Sequence, residues 1–206
     1  MERLAKSAHT GHPWRVHDVA SDFEVEDVWA FRVPGAGPDD FRAVLEAIRS
    51  SGGIDRMSPP TRFLFAVRWR LGALFGWDDP ESGVDARKAS IRHRLPDDLR
   101  TAPRGPDHAS MPLKAVYETD TEALRELVNR TAHALMHLGW VPRDDGGHEL
   151  RMAVLVKTDG RLGRLYMAAI APFRHLIVYP ALGRQWERAW AERDRVAERR
   201  DERGGS

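Results

Sequence analysis

Residues Thr121–Trp140 read TEALRELVNRTAHALMHLGW, and the fold turns on how this stretch is taken. Wound as a helix, Leu124, Leu127, Val128, Thr131, Leu135 and Leu138 make one apolar stripe, and Gly139 stops it. The abundance of Ala, Leu, Glu and Arg favours that reading through intrinsic propensity. Drawn out as a strand, the same residues put Asn129, Thr131, His133, Leu135 and His137 on one face. Val128, Arg130, Ala132, Ala134, Met136, Leu138 and Trp140 then share the other. Both templates fit; periodicity and composition taken by themselves favour the helix.

On the C-terminal side, Asp144-Asp145-Gly146-Gly147 is a turn, followed by the clearest strand in the chain. There His148, Leu150, Met152, Val154 and Val156 alternate with Glu149, Arg151, Ala153, Leu155 and Lys157, which predicts that Met152, Val154 and Val156 point inward while Arg151 and Lys157 face water. Leu162 to about Trp190 is helical, and Pro172 should kink it by deleting a hydrogen bond. On the N-terminal side, Leu113–Glu118 alternates as a strand before the turn at Thr119-Asp120. Asp78–Pro112 is irregular and proline-rich, which suits a lid, a binding loop or a disordered segment. A helix capped by Ser58 carries Phe63, Leu64, Val67, Leu71, Leu74 and Phe75, with Phe65 and Trp69 as a second stripe. Phe41, Val44, Leu45 and Ile48 mark an earlier helix, and Val28–Val33 and Trp14–Val19 read as strands. Residues 1–13 are expected to be a flexible tail, 14–190 a single domain, and 191–206 a charged C-terminal tail.

The chain has 206 residues, 42% of them hydrophobic and 31% charged, which suits one soluble domain with its own core. It contains no cysteine, so disulfides, thiolate metal sites and a cysteine nucleophile are excluded. Lys+Arg 32 against Asp+Glu 31 leaves +1, too little for a general hold on nucleic acid. Four of the 32 are lysines (Lys6, Lys88, Lys114, Lys157), so 28 are arginines, and the densest basic spots are flanked by acids. A single acidic ligand group held by Arg92, Arg94 or Arg174 fits this pattern better than a phosphate backbone. No apolar run of signal-peptide length opens the chain, and Arg164, Pro172, Arg174 and His175 interrupt its most lipid-like stretch, so no membrane span and a cytoplasmic location are expected.

His133 and His137 are the conspicuous pair, within reach of one ion in either conformation. Ala134 stands where a zincin needs its glutamate, and no third ligand beyond His148 suggests itself, so no metal and no cofactor are expected. There is no G-x-S-x-G elbow and no Walker loop. Gly160-Arg161-Leu162-Gly163 lacks the third glycine of a dinucleotide fingerprint.

The strings NRTAHALMHLGW (Asn129–Trp140), GRLGRLYMAAIAPFRHLIVYPAL (Gly160–Leu182), FAVRWRLGALFGWD (Phe65–Asp78) and SIRHRLPDDLR (Ser90–Arg100) resemble an uncharacterised bacterial domain-of-unknown-function family. Its members look like START-type, Bet v 1-like and polyketide cyclase-like proteins, and the likeness covers about Trp14–Trp190. It implies an α+β helix-grip fold: a curved antiparallel sheet around a long C-terminal helix, with additional helices after the first strands and an apolar cavity between sheet and helix. It also implies one long strand at Glu122–Val141, against the helix propensity. The expected function is binding of a small apolar or amphipathic molecule. Its walls would be Trp29, Phe31, Tyr117, Met152, Val154, Tyr166 and Phe173, and its polar contacts Asn129, Thr131, His133 and His137. The alternatives are a cyclase- or dehydratase-type enzyme using a cavity histidine such as His133, or a filled-core interaction protein.

Overall fold

A computed structural model of the chain describes residues 1–52, 89–107, 113–128, 132–158 and 160–204. The strands are β1 (Glu2–Leu4), β2 (Glu24–Arg32), β3 (Lys114–Glu118), β4 (Glu122–Val128), β5 (Ala132–Pro142) and β6 (His148–Thr158). They form an open antiparallel sheet in the order β1-β2-β6-β5-β4-β3. The α-helices are α1 (Ser7–Thr10), α2 (Val16–Val19), α3 (Phe41–Ser50), α4 (Asp97–Thr101), α5 (Gly160–Phe173) and α6 (Tyr179–Gly204). A 3₁₀ turn spans Ile91–Arg94, and a π turn, Arg174–Val178, joins α5 to α6 without a break. The fold is mixed α+β with a long C-terminal helix. The helix expected from Ser58, with its aromatic stripe, lies outside the described residues.

The deciding stretch is neither a helix nor one long strand. Glu122–Val128 and Ala132–Pro142 are two strands paired antiparallel, with Val128 opposite His133 and Glu122 opposite Gly139. The expectation of a single strand at Glu122–Val141 is therefore corrected to a hairpin. Helix propensity loses because both faces of both arms are buried by other parts of the chain, and tertiary burial outweighs a few tenths of a kcal/mol per residue. The next hairpin matches the sequence closely: Trp140 lies opposite Leu150 across the Asp144–Gly147 turn.

Alternation along the strands feeds two separate apolar clusters. Trp29, Phe31, Met136, Leu138, Trp140, Leu150 and Met152 pack with Phe41, Val44 and Leu45 of α3 and with Tyr179, Leu182, Trp186 and Trp190 of α6. Val28, Leu124, Leu135, Val141, Ala153 and Leu155 pack instead with Trp14, Val16, Val19 and Phe23, and with Ile91, Leu95 and Leu99. The second set of β6 residues is thus not a wet face. Ala153 and Leu155 are as buried as Met152, and Arg151 lies partly under the N-terminal segment, donating to the Ala8 carbonyl.

The first 13 residues, expected as a tail, are part of this cover. Glu2–Leu4 pairs with β2, and His9 is 1% exposed. Trp14–Val19, expected as a strand, is instead a turn at Trp14 and Arg15 leading into helix α2. The Glu122 carboxylate accepts the Arg15 N–H at 3.0 Å, which satisfies a backbone donor at the helix start that the chain itself leaves open. In the C-terminal helix, Pro172 and Pro180 bracket the π turn. Each proline lacks the N–H for an i→i−4 bond and crowds the preceding turn, so the intervening turn widens. The Tyr179 N–H then reaches the Arg174 carbonyl, five residues back.

Gly139, read from the sequence as a helix stop, has a different task. The Trp14 indole lies so close that an added Cβ would stand 2.6 Å from it. Gly139→Ala must push the indole off β5, and overpacking of this kind costs about 1–3 kcal/mol. Urea denaturation is expected to show a midpoint lowered accordingly.

Candidate functional site

The face of the sheet turned away from the C-terminal helix carries four ionisable side chains in an apolar setting. Glu122 and Glu126 project from β4 toward His137 and His133 of β5. His137 Nε2 donates to Glu122 Oε2 at 2.8 Å, and His133 Nε2 to Glu126 Oε1 at 2.6 Å. Each carboxylate also holds the start of a covering turn. Glu122 takes the Arg15 N–H, and Glu126 takes the Ile91 N–H at 2.6 Å and the Ser90 hydroxyl at 2.5 Å. The Tyr117 hydroxyl points at Glu122 from 3.4 Å. Burial pushes both carboxyls up, but these hydrogen bonds outweigh it and hold each below the usual carboxylate range. Burial drives His137 down, and Glu122 only partly opposes this.

His9 adds a second imidazole, its Nε2 lying 3.1 Å from His137 Nδ1. With Glu122 ionised, His137 carries its proton on Nε2, so Nδ1 accepts and His9 Nε2 donates. Burial, together with His137, His17, His12 and Arg151 around it, pushes His9 down to about 3. This network fastens the cover to the sheet. All four of its titratable members on β4 and β5 are buried.

A more open constellation lies at the seam between β2 and the π turn. Asp27, with its side chain 1% exposed, comes just after a bulge in β2 and faces Val154 of β6. His175 Nε2 donates to Asp27 Oδ1 at 2.6 Å, and the Tyr179 hydroxyl donates to Oδ2 at 3.0 Å. Arg3 and Arg174 each approach the carboxylate to 3.5 Å, and Arg174 also bonds Glu26 at 2.9 Å. Burial and the Asp27 charge push the Tyr179 hydroxyl up, so it stays a donor. The Trp29 ring stands 5.2 Å from Tyr179 and 6.2 Å from His175. Both Trp29 Nε1 and Arg174 Nε are buried donors with no acceptor among the described residues. His175 remains 23% exposed. Its Nδ1 has no partner among the described residues.

The expected site residues therefore fall in different places. Trp29, Phe31, Met152 and Val154 come together on the α6 side of the sheet. Tyr117, His133 and His137 lie on the opposite side, so they share no wall with the first group. Phe173 is on the helix, 51% exposed beside Leu176 at 77%. Asn129, Thr131 and the Tyr166 side chain lie outside the described residues. Sequence reading missed Asp27, His175 and Tyr179 as a group because Asp27 lies 148 and 152 positions from the other two, beyond the reach of any spacing rule. The faint signal available was Arg-His between two prolines in an apolar run. Other unpartnered buried atoms, His9 Nδ1, His12 Nδ1 and Trp14 Nε1, mix donor and acceptors within the N-terminal cover. An open cleft of about 640 Å³ lies between Arg32–Gly37 and Arg143–His148, where Arg143 is already paired with Asp145. Among the described residues, no group of three or more His, Asp or Glu side chains is arranged to hold a metal ion, and no helix is long and apolar enough to cross a membrane.

The His9–His137–Glu122 chain makes stability depend on pH with a definite sign. Between about 6.5, where unfolded imidazoles titrate, and the folded value of about 3 for His9, the unfolded chain binds a proton that the folded chain refuses. Stability therefore falls as pH drops through this window, by up to about 1.4 kcal/mol per pH unit for each such imidazole. Lowered His137 and Glu122 act in the same direction. Urea titrations from about pH 7.5 to 5 are expected to show this slope, and His9→Gln to flatten it.

A family model described as Protein of unknown function (DUF2867) matches residues 19–181. No curated protein matches the chain, and no solved structure does. The match takes in β2, all the strands of both hairpins, and the helix through the π turn, and on that extent the chain belongs to the DUF2867 family.

Proposed function

We propose that the protein binds a small amphipathic molecule at the seam between the sheet and the C-terminal helix, in a helix-grip arrangement of the START type. The ligand would be a compact apolar body bearing an acceptor oxygen. The observation that carries this reading is the pair of buried donors without acceptors among the described residues, Trp29 Nε1 and Arg174 Nε, beside the partly exposed His175. Leaving one such donor unpaired costs about 1–3 kcal/mol, and a ligand oxygen would recover it. Trp29 and Val154 offer apolar surface next to these donors, and Phe173 and Leu176 stand exposed on the adjoining turn of helix. Farther along, Phe31 meets Trp186 at 4.7 Å between ring centres, so the middle of the sheet–helix interface is filled and the ligand belongs at its π-turn end. The Arg174 guanidinium suits an anionic or strongly polarised oxygen.

Anilinonaphthalene sulfonate, an apolar ring system with acceptor oxygens, is a direct probe. Its fluorescence is expected to rise with one saturable site. Trp29→Phe, which keeps an aromatic ring and removes the N–H, should weaken binding about tenfold, in keeping with loss of one hydrogen bond to a charged group. Trp14→Phe, on the opposite face, should leave it unchanged. A wild-type protein with no saturable binding, or equal affinity in Trp29→Phe, would sink the reading.

A further inference from the structure

We propose that the seam is a proton-transfer site, with His175 as the general base and a carbonyl compound bearing an acidic α-C–H as the substrate class. This chemistry rests on the seam being the ligand site and specifies what happens to the ligand there.

The imidazole is held in one tautomer and one orientation. Asp27 is buried, and its Oδ1 accepts from His175 Nε2 at 2.6 Å. That bond places the ring proton on Nε2 and leaves the Nδ1 lone pair as the free basic position. Asp27 is itself fixed by the Tyr179 hydroxyl at 3.0 Å and flanked by Arg3 and Arg174, so the ring cannot turn without breaking a braced contact. A buried carboxylate that orients an imidazole and steadies its protonated form is the arrangement a histidine base needs. His133 and His137 also have carboxylate partners, but they are 6% and 0% exposed, and the second nitrogen of His137 is occupied by His9. Among the described residues, His175 is the carboxylate-bonded histidine that a ligand can reach.

Among the described residues, the bonded neighbours of the dyad include no serine or threonine, and the Tyr179 hydroxyl is engaged with Asp27. The imidazole is therefore the reacting group, and proton transfer is the chemistry open to it unaided. The two orphaned donors supply the other half. In the step, the α-C–H bond breaks and its proton goes to Nδ1. The electron pair forms the C=C bond, and the carbonyl π electrons move onto oxygen as an enolate. Trp29 Nε1–H and Arg174 Nε–H are the groups to hold that oxygen, and the Arg174 charge favours it most when the negative charge has formed. The proton on Nδ1 exchanges with solvent, and delivery of the solvent-derived proton back to the α carbon, with the enolate electrons returning to the carbonyl, completes exchange and needs no oxidant or other co-reactant.

β-Tetralone, an apolar bicyclic ketone with acidic α protons, is the probe. Its binding is read by displacement of anilinonaphthalene sulfonate, and its chemistry by loss of the α-proton NMR signal in D₂O at saturating ketone. Wild-type protein is expected to speed exchange at least about 10²-fold over an equal concentration of free imidazole, the low end of general-base catalysis. His175→Gln should remove that acceleration, whereas His133→Gln, if folded, should keep it. Asp27 is a positioning residue. Asp27→Asn should slow exchange and also move the His175 ¹⁵N signals away from the Nε2–H tautomer, a change that mere loosening would not produce. Ketone that displaces the dye without accelerated exchange, or acceleration that survives in His175→Gln, overturns the proton-transfer proposal and leaves the binding reading intact. Failure to displace the dye overturns the choice of a carbonyl ligand, while absence of dye binding removes the site itself.

Discussion

The fold depends on a pair of buried contacts between carboxylates on one arm of a hairpin and imidazoles on the other. Glu122 with His137 and Glu126 with His133 lie between β4 and β5, and each glutamate reaches onward to the backbone of a short covering turn. Removing these acids from water is costly, and several converging donors at each one offset that cost. The same contacts set the hairpin register, since a slip of one residue would turn every glutamate and histidine to the other face. They also draw Arg15 and Ile91, more than 30 positions away in sequence, onto one side of the sheet.

That arrangement divides labour between the two faces. The covered face uses its polar groups to hold the chain together, and among the described residues these groups find most of their partners within the protein. The face under α6 is apolar through its middle, with polar groups gathered at one end, where Asp27 meets His175, Tyr179 and Arg174. At that end the hydrogen bonding among the described residues is incomplete: two donors lack acceptors and one imidazole nitrogen has no partner. Unmet hydrogen-bonding capacity next to a partly exposed histidine is a chemical reason for a ligand to settle there.

Much of the fold was legible because period-two alternation is a local signal. The β6 strand, the turn before it, helix α3 and the long C-terminal helix all arise from spacing within a dozen residues. Thr121–Trp140 was not settled by that means. Leu124, Leu127, Val128, Leu135 and Leu138 satisfy helical spacing, yet burial on both faces decides for two strands: Leu124 and Leu135 pack under Trp14–Phe23 and Ile91–Leu99, while Leu138 packs with helices α3 and α6 on the other face. The N-terminal residues read as a tail because His9 and Trp14 look polar or isolated until the chain returns at His137 and Gly139. The site suffered most from this limitation. Trp29 and Val154 were legible as apolar strand residues, but the acid–base partners sit on β2 and the π turn, and His133 is more conspicuous in sequence than His175.

The π turn carries a consequence for how the long helix can change. One π turn amounts to one extra residue threaded into an α-helix, so it shifts the angular phase of the residues before it by about 100° relative to those after it. The α6 face that meets the sheet and the α5 face bearing Leu165 are therefore set independently, although they belong to one continuous rod. Shortening Arg174–Val178 by one position would restore regular winding and rotate α5 as a unit, with Tyr179–Trp190 still seated. The turn is thus a phase adjuster. It lets a lineage re-aim the outer half of the helix by a single insertion or deletion without disturbing the inner half.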